Sequence, residues 1–312
     1  MKPSILVIGG AGVVGPRVCH ALAKAGWSPV VLDSLQSGKR DRVDWVPFIE
    51  ASCLDLDTLT EVLQQAKPAV VIHLAGCLSE EISLDPAKWV LQQMGTTATI
   101  IMAMNQSACH RLIWLGSDEI YAPQDRAIVE SDELNSTELF AIILQDVERL
   151  LRASHLANGL SYVAFRASQI AGGPLYAARR PSHLLGQLYQ AIHQQVPVTW
   201  WATDTPDGSV VRDLIHVDDV ASALVCGVRY LMDGAPSGVF NLGSGQGIGL
   251  LTLLGLVEER VSHSIPQECL GELKQGVASR VLDGHLIRQS LQWVPTLGVS
   301  TMIDDTWPHD VT

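Results

Sequence analysis

The stretch ILVIGGAGVVGPRV, residues 5–18, decides the fold. A short aliphatic run ends at Gly9, and a helical pattern opens after Gly15. Glycines at positions 9, 12 and 15, between a strand and a helix, let backbone amides and the helix N-terminus approach a pyrophosphate. A tight turn explains three such glycines equally well, so this motif alone predicts only a strand, a turn and a helix.

An acidic residue at the end of the second predicted strand strengthens the nucleotide interpretation. Asp33 closes the strand PVVLD, residues 29–33, and lies eighteen residues beyond Gly15. A carboxylate at this place accepts hydrogen bonds from the adenosine ribose hydroxyls and repels a 2′-phosphate. The two signals together predict NAD as the cofactor, in preference to NADP.

Strands and helices alternate through the first half of the chain. The predicted strands lie at 5–9, 29–33, 69–76 and 111–117, with helical patterns between them. Strands that are apolar on both faces and separated by helices predict a doubly wound parallel sheet, a Rossmann α/β fold. Later elements are shorter and punctuated by glycine and proline, which predicts a smaller C-terminal α/β substrate lobe.

The predicted domains are an NAD-binding Rossmann domain at 1–168 and a substrate-binding lobe at 169–312. Two regular stretches, SVVRDLIHVDDVASALV and GVFNLGSG, interrupt the second half. We expect these segments, near 210–245, to return to the first domain. The two lobes are therefore interleaved in sequence.

Charge and cysteine usage limit the classes of partner. The 33 acidic and 21 basic residues give a net charge of −12, which repels a phosphate backbone and argues against nucleic acid. The six cysteines lie far apart, without metal-ligand or redox spacing, which predicts buried thiols in a reducing cytosol and no metal site. No stretch reaches about 18 uncharged apolar residues, so we predict a cytoplasmic protein without a membrane span.

The segment HLAG, residues 73–76, ends a core strand at the edge where cofactors lie in such sheets. We interpret His73 as a core histidine rather than a catalytic group. The small residues Ala75 and Gly76 leave room for the cofactor.

Several further motifs carry a family resemblance: GGAGVVG, VVLDSL, VVIHLAG, LGSDEIYA, VVRDLIHVDDVA and GVFNLGSG. With them the chain resembles the extended short-chain dehydrogenase/reductase family, of the NAD-dependent epimerase/dehydratase type, and is most similar to the UDP-glucose 4-epimerases. The resemblance runs nearly end to end. It implies bound NAD, a nucleoside-diphosphate sugar in the smaller lobe, and a homodimer formed through two helices of the first domain.

The resemblance also implies which residues contact the cofactor. These are Gly9, Gly12, Val13, Val14, Gly15, Asp33, Ser34, Leu74, Ala75, Gly76 and Gln92. Gln92 replaces an asparagine of the family. At the adenine position Ser52 replaces an aspartate, with Asp55 as a less favoured substitute.

The family's catalytic tyrosine and lysine have no counterpart in this chain. Family members use a tyrosine to move the hydroxyl proton, a lysine four residues later to hold the nicotinamide ribose, and an upstream serine, which Ser117 matches. Counting ten residues from Glu130 reaches Phe140 in place of the tyrosine. Glu148, eight residues further, fits an acidic family position and places Leu144 at the lysine. Phe140 and Leu144 are therefore interpreted as vestigial positions.

Polar groups near Ser117 are the candidate replacements. Ser117, Asp118 and Glu119 resemble the Thr-Asp-Glu run of the sugar-nucleotide 4,6-dehydratases, in which the two carboxyl groups move protons. Related enzymes carry a similar run for packing and hydrogen bonding, so both roles stay open. Tyr121 is the nearest phenol, and packing beneath the active site is its favoured role.

The smaller lobe keeps several substrate-side positions. By resemblance, Arg212 and Lys274 bind the diphosphate, although Val277 replaces a following aspartate, and Trp201 packs against the base. Gln169 and His183 replace substrate-binding asparagines.

Two hypotheses follow from these positions. The chain is an NAD-dependent enzyme on a nucleoside-diphosphate-linked substrate with an atypical active site, or it is a catalytically inactive NAD- or nucleotide-binding sensor or partner subunit. Retention of the substrate-side cations favours the enzyme.

Overall fold

The chain folds into α/β layers, and the computed structural model describes residues 2–76, 85–274 and 276–308. The strands are β1 Ser4–Ile8, β2 Ser28–Asp33, β3 Phe48–Glu50, β4 Val70–His73, β5 Arg111–Ser117, β6 Ser161–Ala167, β7 Gln169–Ala171, β8 Val198–Ala202, β9 Val211–His216, β10 Gly238–Leu242, β11 Gly247–Gly249, β12 Gln267–Glu272 and β13 Ser279–Arg280. The helices are α1 Gly15–Lys24, α2 Leu56–Ala66, α3 Pro86–Asn105, α4 Leu139–Asn158, α5 Pro174–Arg179, α6 Leu184–Gln194, α7 Val217–Met232, α8 Leu250–Val261, α9 His285–Leu291 and α10 Val299–Thr306. Short 3-10 turns lie at Arg40–Val43 and Asp118–Ile120.

The central sheet has seven strands in the order β10-β6-β5-β4-β1-β2-β3. β1 pairs in parallel with both β2 and β4, and β2–β3 and β4–β5 are also parallel. Ile5, Leu6 and Val7 of β1 are completely buried, because helices cover both faces of the sheet. The predicted doubly wound Rossmann fold is confirmed. Strand order reverses between β1 and β4, so the crevice at their carboxyl ends is the expected cofactor position.

Two compact units share the chain. The first comprises residues 1–120, 134–166 and 221–240, and the second comprises 121–133, 167–220 and 241–312. The chain thus enters the second unit at 167, beside the boundary expected at 168, and residues 221–240 return to the first. Sequence analysis did not predict that 121–133 belongs to the second unit.

The second unit is built on β9. β7 and β13 pair with β9 in parallel, and β11 pairs with it antiparallel. β8 and β12 form a separate parallel ribbon. The core of the second unit contains Leu188, Leu214 and Leu253, all at most 1 % exposed.

The cysteines of the described residues are not all buried. Cys19 and Cys109 are buried, but Cys269 is exposed on β12, so the expectation of buried thiols is wrong for that residue. The β8–β12 ribbon is only two strands wide, and all residues of β12 are exposed to solvent. Cys77 lies outside the described residues. Among the helices described, none is both long and apolar enough to span a membrane.

Candidate functional site

The glycine-rich turn brings the ends of β1 and β4 together. Gly9 has φ +80°, and a Cβ there would lie 2.6 Å from the backbone nitrogen of Ala75. A Cβ on Gly15 would collide with the carbonyl of Gly10. Helix α1 begins at Gly15 with a proline in its first turn, where the missing N–H is not needed. The glycines therefore keep open a cradle that side chains would fill, as a bound pyrophosphate requires.

Asp33 is held at the end of β2 by backbone amides. Its Oδ2 accepts from the N–H of Ala11 at 3.0 Å, and its Oδ1 accepts from the N–H of Leu35 at 2.8 Å. The side chain is 8 % exposed, and Ser34 beside it is exposed. Each carboxylate oxygen keeps a second lone pair for a ribose hydroxyl.

Arg42 was not predicted as part of this site. Its Nη1 donates to the carbonyl oxygens of Ala11 at 3.2 Å and Gly12 at 3.3 Å. The contact spans about thirty residues of sequence, so no local motif signals it. Arg42 thus fixes the far side of the glycine-rich turn that Asp33 fixes from β2.

The end of β4 lies against the same turn. Leu74 N–H donates to the carbonyl of Ile8 at 2.9 Å. Gly76 is exposed, and a Cβ on it would lie 3.1 Å from Oε1 of Gln93. Gln93 of α3 therefore faces this glycine, and a cofactor contact of the neighbouring Gln92 stays a prediction.

His73 is buried in the sheet beneath this edge. Its Nε2 lies 3.1 Å from Oγ1 of Thr97, and burial lowers the pKa of His73 to about 4. The imidazole is therefore neutral at pH 7, as expected for a core histidine.

The two adenine-side candidates have local roles. The Oγ of Ser52 accepts from the N–H of Leu54 at 3.2 Å. The carboxylate of Asp55 caps α2 by accepting from the N–H and hydroxyl of Thr58. Because Asp55 is the helix cap, Ser52 remains the better candidate for an adenine contact.

The end of β5 carries a fixed set of polar groups. The hydroxyl of Ser117 accepts from the N–H of Glu119 at 3.2 Å and donates to Oδ1 of Asp118 at 3.4 Å. Asp118 is 3 % exposed and Glu119 is half-buried. Of the two carboxyl groups, Glu119 is the more accessible to a ligand.

Tyr121 serves the interior of the second unit. It is completely buried, and its hydroxyl donates to Oδ1 of Asn241 at 2.5 Å. The amide nitrogen of Asn241 in turn donates to the carbonyl of Ile128 at 2.7 Å. This geometry favours the packing role of Tyr121 over proton transfer.

Helix α4 carries hydrocarbon side chains at Phe140 and Leu144, the two positions that the sequence analysis interprets as vestigial. The ring of Phe140 packs against Trp89 of α3 with centroids 5.6 Å apart, and Leu144 is 8 % exposed. The helix also contacts the turn Asp118–Ile120. Neither side chain can exchange a proton or bind a ribose hydroxyl.

A buried ion pair fixes the position of α4. Glu148 accepts two hydrogen bonds from Arg166 of β6, Nε to Oε1 at 2.8 Å and Nη2 to Oε2 at 2.7 Å. The side chains are only 11 % and 6 % exposed. A planar, bidentate contact of this kind allows little sliding or rotation of the helix.

In the second unit, β7 brings two predicted substrate residues together. Oε1 of Gln169 accepts from the N–H of Leu184 at 3.0 Å, at the first residue of α6. His183 is the N-cap residue of the same helix. Gln169 therefore holds in place the segment that carries His183.

Trp201 lies on β8, and Lys274 follows the end of β12 in the same ribbon. Glu272 pairs with Ala202, and the N–H of Leu273 donates to the carbonyl of Ala202 at 2.8 Å. Trp201 is 43 % exposed and Lys274 is exposed. An indole and an ammonium at one edge suit a base and a phosphate.

Arg212 lies on β9 beside a cavity of about 850 Å³. Its Nη1 donates to the carbonyls of Val211 at 2.7 Å and Ala278 at 3.3 Å, and both of these residues line the cavity. Val277, at the position of the family aspartate, also lines it. The volume is in the range of small-molecule sites.

The model of the NAD dependent epimerase/dehydratase family matches residues 5–243. The chain therefore belongs to the NAD dependent epimerase/dehydratase family. NAD is the cofactor of this class, and the glycine cradle with Asp33 fits it.

Relatives that are similar to this chain in sequence and in structure include UDP-glucose 4-epimerases. The enzyme of Rhizobium leguminosarum bv. trifolii is 29 % identical over 320 residues, covering 97 % of this chain and 96 % of the relative. The Brucella ovis enzyme in complex with NAD superposes with a TM-score of 0.92 at 27 % identity, covering 99 % and 98 % of the two chains. The Stenotrophomonas maltophila enzyme, with bound NAD and formylated UDP-arabinopyranose, gives 0.91 at 26 % identity, covering 98 % and 97 %.

Proposed function

We propose that the chain binds NAD through its first unit and a nucleoside-diphosphate-linked substrate through its second, and turns that substrate over without a tyrosine–lysine pair. The observation that carries this proposal is an open glycine cradle with Asp33 beside it, together with the polar group of Ser117, Asp118 and Glu119 at the end of β5 in the same unit. Relatives that bind NAD and a UDP-sugar support both ligands. The cytoplasmic location and the homodimer stay predictions.

The chemistry is assigned to the end of β5. Bound NAD supplies a hydride acceptor. Ser117 positions a substrate oxygen, and Glu119, the more exposed carboxyl group, accepts its proton. Asp118, buried and bonded by Ser117, orients that hydroxyl.

A second function is favoured by a separate observation. The hydroxyl of Tyr121 is buried and bonded to Asn241, so the nearest phenol does not replace the lost tyrosine. On this alternative the chain is a catalytically inactive family member that binds NAD or a nucleotide as a sensor or partner subunit. It predicts binding of both ligands and no turnover of any substrate.

Replacing Glu119 by glutamine tests the catalytic assignment. We expect turnover of a panel of UDP-sugars, followed by NMR with NAD present, to fall about 10²-fold, because loss of a general base costs 10²–10⁴-fold. Glu61→Gln, an exposed carboxyl group on α2, is the matched control. If turnover is unchanged in Glu119→Gln, Glu119 takes no part in the mechanism. If the wild type turns over none of the UDP-sugars, the alternative of a catalytically inactive binding protein is favoured.

Replacing Arg212 by methionine tests the ligand of the second unit. We expect the Kd for UDP to rise about 10- to 100-fold, since a hydrogen bond to a charged group contributes about 1.5–3 kcal/mol. NAD binding should stay unchanged, and isothermal titration measures both. The proposal for this unit is contradicted if UDP does not bind the wild type or binds both forms equally.

A further inference from the structure

The β2 loop, residues 34–39, folds back onto the carboxylate of Asp33 at the end of β2. The N–H of Leu35 donates to Oδ1 of Asp33 at 2.8 Å. Gly38 lies against the same oxygen, since a Cβ added to Gly38 would be only 2.7 Å from Oδ1. Two separate residues of the loop therefore lie close to Oδ1 of Asp33.

Ala11 of the glycine-rich turn lies on the other oxygen of this carboxylate. Its N–H donates to Oδ2 of Asp33 at 3.0 Å, and its carbonyl accepts from the N–H of Lys39 at 3.0 Å. A Cβ on Gly38 would also lie 3.0 Å from Cβ of Ala11. The glycine-rich turn and the β2 loop are thus bonded to each other, and both hold the side chain of Asp33.

The backbone of Leu35 shows that these contacts determine the shape of the β2 loop. Its φ is +59°, a left-handed value that is unfavourable for a residue with a Cβ. The other left-handed residues besides glycine in the described part of the chain each end a helix: Lys67, Gln195, Ser262 and Gln292. Leu35 ends no helix. A conformation of this kind persists where its surroundings enforce it, and such residues cluster at ligand sites.

Gly38 is needed for space rather than for an unusual backbone conformation. Its φ is not left-handed, so an alanine can adopt the same backbone. The nearest atom to the added methyl group would be the end of the Asp33 side chain, which can rotate. We therefore expect Gly38→Ala to fold and to displace the carboxylate of Asp33.

The position of this carboxylate matters for the choice of cofactor. A carboxylate at the end of the second strand accepts hydrogen bonds from the adenosine ribose hydroxyls and repels a 2′-phosphate. Hydrogen bonds weaken steeply when their distance and angle depart from the preferred values. Displacing the carboxylate of Asp33 would therefore weaken its contact with the ribose of NAD.

We propose that Gly38 is a positioning residue for the cofactor, which leaves the space in which Asp33 meets the ribose hydroxyls and so sets the preference for NAD over NADP. Gly38 acts through Asp33 and contributes no contact of its own side chain. This inference rests on the proposed NAD binding of the first unit and adds to it a residue that no motif marked.

The test is isothermal titration of the full chain with NAD and with NADP, for the wild type, Gly38→Ala, Asp33→Ala and the variant that combines both changes. We expect Gly38→Ala to raise the Kd for NAD about 10- to 100-fold, because hydrogen bonds to a charged group are weakened. The Kd for NADP should not rise, because the repelling carboxylate is displaced. In the Asp33→Ala background, Gly38→Ala should have no further effect on NAD binding, since the group through which it acts is absent.

Asp33→Glu tests the same idea without a change at Gly38. Glutamate is the other acid found at this position of dinucleotide-binding folds, but the space beside Gly38 does not admit a longer side chain. We expect Asp33→Glu to bind NAD about as weakly as Gly38→Ala. The control is Gly255→Ala on α8, where nothing lies within 4 Å of the added Cβ, and it should bind NAD like the wild type.

Two results would overturn the proposal. The first is an unchanged Kd for NAD in Gly38→Ala, and the second is an equal rise for Gly38→Ala with and without Asp33. Circular dichroism shows whether each variant is folded, and if Gly38→Ala is not, NAD binding by Asp33→Glu at the affinity of the wild type would overturn the proposal instead. If the wild type itself does not bind NAD, the proposed function is wrong as well, which is a different result.

Discussion

Replacing Glu148 by glutamine is expected to lower the free energy of unfolding by about 3–5 kcal/mol, because it removes the carboxylate that forms a bidentate, buried ion pair with the guanidinium of Arg166. The two side chains are 11 % and 6 % exposed, so water cannot take over the role of the carboxylate. A urea titration followed by circular dichroism measures the loss.

The same helix supplies a control. Asp146 pairs with Arg149 at 2.6 Å, but the side chains are 39 % and 69 % exposed. Asp146→Asn should therefore cost no more than about 0.5 kcal/mol. Equal losses in the two variants would mean that the Glu148–Arg166 pair does not anchor α4.

The second large effect is a gain of activity. Phe140→Tyr combined with Leu144→Lys restores a phenol and an amine one helical turn apart, on one face of α4. General acid–base catalysis contributes about 10²–10⁴-fold, so 4-epimerisation of UDP-glucose should rise by at least about 10²-fold in the double variant.

Each single variant should fail for a different reason. Phe140→Tyr supplies a phenol but no amine that would favour its ionised form. Leu144→Lys places a charge at a position that is only 8 % exposed, without the tyrosine beside it. Activity in the double variant alone would show that the helix is correctly placed and lacks only its reactive groups.

The fold could be predicted because its signals are local. The apolar runs of β1, β2, β4 and β5 and the helical patterns between them define the parallel sheet without tertiary information. Helix α4 contains Phe140, Leu144 and Glu148, and Glu148 pairs with Arg166; that Phe140 and Leu144 stand at the family's tyrosine and lysine positions stays a prediction.

Parts of the site depend on tertiary pairing, which sequence does not display. Residues 121–133 join the second unit because Ile128 forms a β-bridge with Leu282 and its carbonyl accepts a hydrogen bond from the side chain of Asn241. Each contact joins residues more than a hundred positions apart in the sequence. Gly38 becomes a neighbour of Ala11 only through the fold of the β2 loop.

Which residue of a helix faces a site also depends on tertiary structure. Consecutive residues of a helix point about 100° apart. The choice between Gln92 and Gln93 therefore depends on the rotation of α3, and the structure places Gln93 against Gly76. No spacing in the sequence fixes that rotation.

The central prediction is that helix α4 of this family member is correctly placed but lacks the phenol and the amine of a catalytic helix. The most direct measurement is NMR of UDP-glucose incubated with NAD and either the wild type or the Phe140→Tyr, Leu144→Lys variant, at equal concentration and with UDP binding measured in both samples. We predict that both proteins bind UDP and that the double variant forms UDP-galactose at least about 10²-fold faster than the wild type. UDP-galactose formed by the wild type at the rate of the double variant would contradict this account.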